Sequence, residues 1–260
     1  MINVESIARE IFNIKEIMPS RSGGDHCISL HSEIDRSSFS DQWPVDNRNL
    51  APLIDHTVLR PDATETDILE ICREAEEYGF CSVCVNPVFV RLVKGNTQKS
   101  LVCSVIGFPL GASTASIKCA ETRNAISEGA SEIDMVINLG DLKAGYYDRV
   151  FNEIKQIARI CHESGVMLKV IIETCLLTEK EKVIACLISK KGGADFVKTS
   201  TGFNKGGATV EDVSLMRRVV GFKMGVKASG GIRDRQTALQ MLKAGANRIG
   251  ASSGIAIVKG

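Results

Sequence analysis

Gly129-Ala130-Ser131-Glu132-Ile133-Asp134-Met135-Val136-Ile137-Asn138 carries the pattern on which the fold of this 260-residue chain turns. A Gly-Ala pair ends one element, and then Ile133, Met135 and Ile137 alternate with Glu132, Asp134, Val136 and Asn138. A period of two marks a strand with two unlike faces. The apolar set is expected against helices and the acidic set on the opposite, equally buried face. Carboxylates are costly to bury unless a cation meets them. This strand should therefore look into an interior that supplies cations.

The same punctuation recurs along the chain. Gly193-Ala194 and Gly245-Ala246 also close a helix-like run shortly before a strand-like one. Eight strands are expected: Leu53–Asp55, Cys81–Val85, Leu101–Ile106, Glu132–Asn138, Leu168–Glu173, Asp195–Thr199, Gly225–Ser229 and Arg248–Ser252. Helices lie between them. Thr64 caps a run with Ile68, Ile71, Cys72 and Ala75 on one face, stopped by Gly79. Thr178 and Glu181 form a capping box, and the longest stripe runs from Tyr147 to Cys161 and ends near Gly165. Eight strands alternating with helices predict an α/β fold with a parallel sheet, closed as a (β/α)8 TIM barrel. A doubly wound open sheet is the alternative, but no glycine-rich dinucleotide turn follows the first strand.

Residues 1–48 read differently. A short amphipathic helix over 4–15 (Ile7, Ile11 and Ile14) is followed by an aperiodic stretch rich in Ser, Asp and Gly that holds the single Trp43. We expect an N-terminal helical and irregular extension packed on the barrel domain of residues 49–260, or on a partner subunit. Composition sets the outer limits. With 32 Lys plus Arg against 31 Asp plus Glu, no net field recruits nucleic acid or an anionic membrane. Nine cysteines scattered through apolar segments point to a reducing compartment. Glu5 and Glu10 interrupt the N-terminus, and no apolar run has membrane-spanning length, so the expected address is the cytoplasm.

Alternation also assigns the cations. Leu168, Val170 and Ile172 face out, which turns Lys169, Ile171 and Glu173 inward; Val197 faces out, Phe196 and Lys198 inward; Val226 and Ala228 face out, Lys227 inward. Three lysines then meet Glu132 and Asp134 inside one barrel. A structural ion-pair network is one outcome. An active site is the other, because barrels place their chemistry at the C-terminal ends of the strands. An amine crowded by a second ammonium and partly desolvated gives up its proton more readily; freeing it at neutral pH takes about 4 kcal/mol of differential interaction. A free amine can attack a carbonyl, and a nearby carboxylate can move the protons.

The last third of the chain reads as an anion cradle. Lys198-Thr199-Ser200-Thr201-Gly202, Gly230-Gly231-Ile232-Arg233 and Gly250-Ala251-Ser252-Ser253-Gly254 each follow a strand, where barrel phosphate sites usually lie. Other signals carry less. Cys81 and Cys84 form a CxxC, but positions three apart on a strand point to opposite faces, so no metal or redox role is expected. His26, Cys27 and His31 lack further ligands in the irregular segment, and Cys84 serves equally as core or as pocket wall.

Taken together, Leu53-Ile54-Asp55-His56-Thr57, Cys84-Val85-Asn86-Pro87, Gly107-Phe108-Pro109-Leu110-Gly111, the strands holding Asp134 and Lys169, Phe196-Val197-Lys198-Thr199-Ser200-Thr201-Gly202, Val226-Lys227-Ala228-Ser229-Gly230-Gly231 and Gly250-Ala251-Ser252-Ser253 resemble the deoxyribose-phosphate aldolase family from about Leu53 to the C-terminus. The resemblance implies a class I aldolase with no metal or cofactor. Such an enzyme reversibly cleaves 2-deoxyribose 5-phosphate to glyceraldehyde 3-phosphate and acetaldehyde. It implies Lys198 as the Schiff-base lysine, Lys227 as its neighbouring cation and Asp134 in proton transfer. Asp55, Cys84, Lys169 and Thr201 fall on substrate-pocket positions, and Gly202, Gly230, Gly231, Arg233, Gly250, Ser252 and Ser253 surround the phosphate. A homo-oligomer, dimer or tetramer, is the expected assembly. Two departures stand out: Phe203 replaces a lysine that some members place beside the phosphate, leaving Lys205 or Arg233 to supply charge, and the chain stops at Gly260, where other members continue in a tail. The readings left open are another phosphate-binding barrel enzyme (a different Schiff-base aldolase, or an isomerase without a covalent step) and a silent sugar-phosphate binder.

Overall fold

A computed structural model describes residues 49–260 together with Ile7. The remainder of the expected extension, including Ile11, Ile14, His26, Cys27, His31 and Trp43, lies outside the described residues; Ile7 is helical and buried against the core. In chain order the elements begin β1 (Ile54–Val58), α1 (Glu65–Tyr78), β2 (Ser82–Val85), α2 (Val90–Asn96), β3 (Leu101–Ile106), α3 (Ala115–Ser127) and β4 (Glu132–Val136). They continue with α4 (Leu139–Lys143), α5 (Tyr147–Glu163), β5 (Met167–Ile171), α6 (Glu179–Gly192), β6 (Phe196–Lys198) and α7 (Val210–Val220). β7 (Gly225–Ser229), α8 (Arg235–Lys243), β8 (Arg248–Ala251) and α9 (Gly254–Lys259) complete the set.

Each strand pairs in parallel with the next, and β8 returns to β1 at Ile54↔Ile249. The sheet is a closed (β/α)8 barrel, which rules out the open alternative. No helix of the described residues is long and apolar enough to cross a membrane.

Local chemistry accounts for the joints. Thr64 and Thr178 cap α1 and α6, each in a reciprocal capping box with Asp67 or Glu181. The Gly-Ala echo is a helix stop. Gly129, Gly193 and Gly245 take φ of 109°, 91° and 113°, and the following alanine amide reaches back to the carbonyl of Ala125, Ser189 or Met241. A left-handed glycine followed by a six-to-one bond ends the helix and aims the chain at the next strand.

Strand ends differ from the expected ones for identifiable reasons. β4 stops at Val136 because the Asn138 side chain turns to accept from the Asp141 amide and cap α4. β5 stops at Ile171 because Glu173 adopts φ 53°. β1 extends to Val58 to stay paired with β2 through Val85.

The core divides as alternation requires. Ile133, Met135, Val170, Val197, Val226, Ala228 and Ile249 belong to the main apolar core, with the helices. Inside the barrel only a small apolar group remains, Leu59, Cys84, Cys103 and Val105 with Phe108 against it. Much of the rest of the interior is charged, with polar groups such as Ser82 among it.

Candidate active site

Asp134 sits at the centre of that charge. Its Oδ2 accepts from Lys198 Nζ at 2.7 Å and from Lys227 Nζ at 2.8 Å. One shared oxygen bounds the distance between the two amines at about 5.5 Å. The register explains the convergence, since Lys198 and Lys227 are direct partners on β6 and β7. Asp134 Oδ1 accepts from Lys169 Nζ at 2.9 Å and from the Cys103 thiol at 3.2 Å.

A further shell closes the network. Lys169 also donates to Glu132 Oε2 at 2.6 Å, and Lys227 lies 2.5 Å from Asp55 Oδ2. Asp55 Oδ1 accepts from Ser82 Oγ and from Arg248 Nη1, which bridges to Glu132 Oε1 through Nη2 at 3.2 Å. Four cationic side chains thus face three carboxylates, all buried. Room for Lys227 depends on Gly250, where a β-carbon would lie 2.9 Å from Lys227 Cε.

At Asp55, Asp134, Lys169, Lys227 and Arg248 attraction outweighs burial. Burial pushes the Asp134 carboxyl up, but the ammonium groups of Lys169, Lys198 and Lys227 together hold it well below the usual range. Lys227 is pulled down by burial and raised more strongly by Asp134 and Asp55, so it remains an ammonium at neutral pH. Lys169 is likewise raised well above an ordinary lysine, by Asp134, Cys103, Glu132 and Asp55 against burial. The Cys103 thiol bonded to Cys84 holds the latter below an ordinary thiol, while burial pushes Cys103 up. Cys84, Cys103 and Asp134 come near enough to suggest a metal triad, with ligand atoms within 4.8 Å of one another. A cation there would have to displace ammonium groups from both Asp134 oxygens, so the donor set does not fit one.

Above the network opens a cavity of about 440 Å³ at the C-terminal end of β1, β6, β7 and β8. Of the interior lysines, Lys198 alone lines it, and Lys198 is 2% exposed. Thr201, Gly202, Gly230, Gly231, Arg233, Gly250 and Ser252 lie on the same wall. Gly202, Gly230 and Gly231 all have positive φ. Asp55, Cys84, Lys169, Lys227 and Asp134 are fully buried behind the wall, and Ser253 precedes α9 outside it. Asp55, Cys84 and Lys169 therefore reach the cavity only through neighbours. Phe203 is 49% exposed at the rim and meets Phe108 edge-on at 5.2 Å. Arg233 lines the cavity and Lys205 does not.

Three members escaped the reading of the sequence. Arg248 was legible in principle, because Ile249 faces out and its neighbour must face in. Arg60 lines the cavity from a loop, where alternation has no force, and pairs with Asp62 and Asp67. Cys103 is neutral and gives no charge signal.

The chain is similar to known aldolases. Residues 50–260 match the model of the DeoC/LacD family aldolases. A protein of Thermococcus gammatolerans named deoxyribose-phosphate aldolase is 57% identical over 216 residues, covering 82% of this chain and 96% of that one. The crystal structure of a putative deoxyribose-phosphate aldolase from Coccidioides immitis superposes with a TM-score of 0.81 at 36% identity, over 99% of this chain and 97% of the other. The Aeropyrum pernix deoxyribose phosphate aldolase, described as a unique tetramer, does so with a TM-score of 0.77 at 36% identity, over 82% and 91%. With a matched region that takes in all eight strands and every interior charge, the chain belongs to the DeoC/LacD family of aldolases.

Proposed function

We propose that the protein reversibly cleaves 2-deoxy-D-ribose 5-phosphate to D-glyceraldehyde 3-phosphate and acetaldehyde through a Schiff base on Lys198. One observation carries the reading: the interior amine that reaches the cavity is bonded to Asp134, and the same carboxylate oxygen holds a second lysine. Lys198 Nζ attacks the C1 aldehyde of the open-chain sugar, and the carbinolamine loses water to give an iminium. The iminium carries a positive charge beside Asp134, so the carboxylate keeps a cationic partner. Removal of the C3 hydroxyl proton breaks the C2–C3 bond, and its electron pair neutralises the iminium to an enamine. Glyceraldehyde 3-phosphate leaves; protonation at C2 and hydrolysis release acetaldehyde and restore the amine. Asp134 and Lys227 relay the protons, directly or through water.

The covalent lysine takes the place of a metal or cofactor. Asp55 and Lys169 hold Lys227 and Asp134 in place, Cys84 packs beneath them, and Thr201 lies beside the reacting amine. Gly202, Gly230, Gly231, Gly250 and Ser252 surround the phosphate, and Arg233 supplies the charge that Phe203 does not. Arg233 makes no ion pair among the described residues, which leaves its guanidinium free for an anion. The protein works in the cytoplasm as a homo-oligomer, dimer or tetramer. Incubation with 2-deoxyribose 5-phosphate tests the reading: acetaldehyde and a triose phosphate should appear in equal amounts. An isomerised five-carbon product, or none, would replace it with one of the competing readings.

A further inference from the structure

Glu173, just after β5, is the one non-glycine residue with positive φ among the described residues. Its φ of 53° and ψ of 65° place a β-carbon in the left-handed region, which side chains rarely adopt. Such strain persists where surrounding contacts over-determine it, and it clusters at functional sites. Glu173 is fully buried and forms no ion pair among the described residues.

What Glu173 does touch is the cavity wall. Both of its carboxyl oxygens accept from the Thr201 amide at 3.3 Å, and Oε2 also takes a short hydrogen bond from the Thr201 hydroxyl. The Cys175 thiol lies 3.8 Å from Oε1. The Thr201 hydroxyl oxygen in turn accepts from the Phe203 amide at 3.2 Å. A chain of hydrogen bonds therefore runs from Phe203 through Thr201 into the buried carboxyl. It spans Thr201, Gly202 and Phe203, three consecutive residues of the cavity wall, with Gly202 at φ 89° between the two tied positions. A link that only joined β5 to β6 would need neither the left-handed backbone nor a chain reaching along the wall. The Thr174 amide, bonded to the Thr199 carbonyl at 2.9 Å, already makes that link.

We propose that Glu173 is a positioning residue that fixes the backbone of residues 201–203 for the substrate phosphate, and so sets the preference for phosphorylated over unphosphorylated sugar. The proposal rests on the function proposed above. A preorganised wall meets the anion without paying to order itself on binding. Backbone amides held by side chains are also the donors that suit a phosphate oxygen.

The test compares kcat/KM for 2-deoxyribose 5-phosphate with that for 2-deoxyribose, in wild type and in Glu173→Gln. Glutamine keeps the size but replaces one accepting oxygen with a donor, so the ratio of the two values should fall tenfold or more. A ratio equal to that of wild type overturns the proposal, however far both activities drop together. If Glu173→Gln does not fold, Thr201→Val and Thr201→Ser decide it: the ratio should fall in the valine variant, which breaks the chain, and stay in the serine variant. Equal ratios in the two would overturn it. A wild-type protein that cleaves neither sugar would remove the underlying reading and the proposal with it; one that cleaves both isolates the role of Glu173.

Discussion

Lys118 and Lys169 are both fully buried, and each is bonded to a buried glutamate, yet burial has opposite outcomes for them. Lys118 lies between sheet and helices, where Nζ reaches Glu153 at 2.8 Å and the Val136 carbonyl at 2.8 Å. There burial outweighs attraction: it pushes the Lys118 amine down and the Glu153 carboxyl up, each toward its neutral form. Lys169 lies inside the barrel among Asp134, Glu132 and Asp55, which raise it well above its ordinary value against burial. One carboxylate does not replace the water that a lysine loses; several do. A cluster of that kind can hold one of its cations at the edge of a cavity, as Lys198 is held, while its neighbours remain fixed.

The largest expected effect separates the two regions by function. Lys198→Ala should lower kcat by about 10⁴-fold or more, because no other amine lines the cavity. Lys118→Met should leave turnover by the folded protein within a few-fold of wild type. It should cost about 3–5 kcal/mol in denaturant unfolding, since it strands Glu153. Replacing both partners, as Lys118→Met with Glu153→Leu, should recover most of that loss. If the single variant instead loses turnover and keeps its stability, the division drawn between the regions is wrong.

Lys227→Leu comes next. It removes one of the two cations on the shared Asp134 oxygen and should lower kcat by about 10²-fold. An unchanged rate would show that Lys227 has no part in the chemistry.

Stability against pH reports the same pairing. Asp134 and Asp55 are held below ordinary carboxyls in the folded protein, so below about pH 4 the unfolded chain takes up protons that the folded one does not. Their contribution is present above that pH and lost as pH falls, at roughly 1.4 kcal/mol per pH unit for each group. Lys169 and Lys227 are raised, so their contribution holds below about pH 10 and fades above it. Chemical denaturation across pH should show a plateau that falls at both ends. A midpoint that stays flat down to pH 2 would contradict the pairing described.

How far the sequence reached follows from what alternation can report. It specifies a face, so Glu132, Asp134, Lys169, Lys198 and Lys227 could be placed inside the barrel from the apolar residues beside them. It does not specify depth along the axis, and so could not separate Lys198, on the cavity wall, from Asp55, Cys84 and Lys169 behind it. Loop contributors such as Arg60 have no period to follow. Glu173 was expected to face inward, but its left-handed backbone depends on contacts with Thr201, past the end of the neighbouring strand, that leave no local mark.

Reductive trapping tests the central claim most directly. The protein is incubated with acetaldehyde and borohydride, digested, and mapped by mass. The account predicts irreversible addition of a two-carbon ethyl group at Lys198 alone, with Lys169 and Lys227 unmodified. Addition at either of those lysines in place of Lys198, or no addition at any of the three, would contradict it.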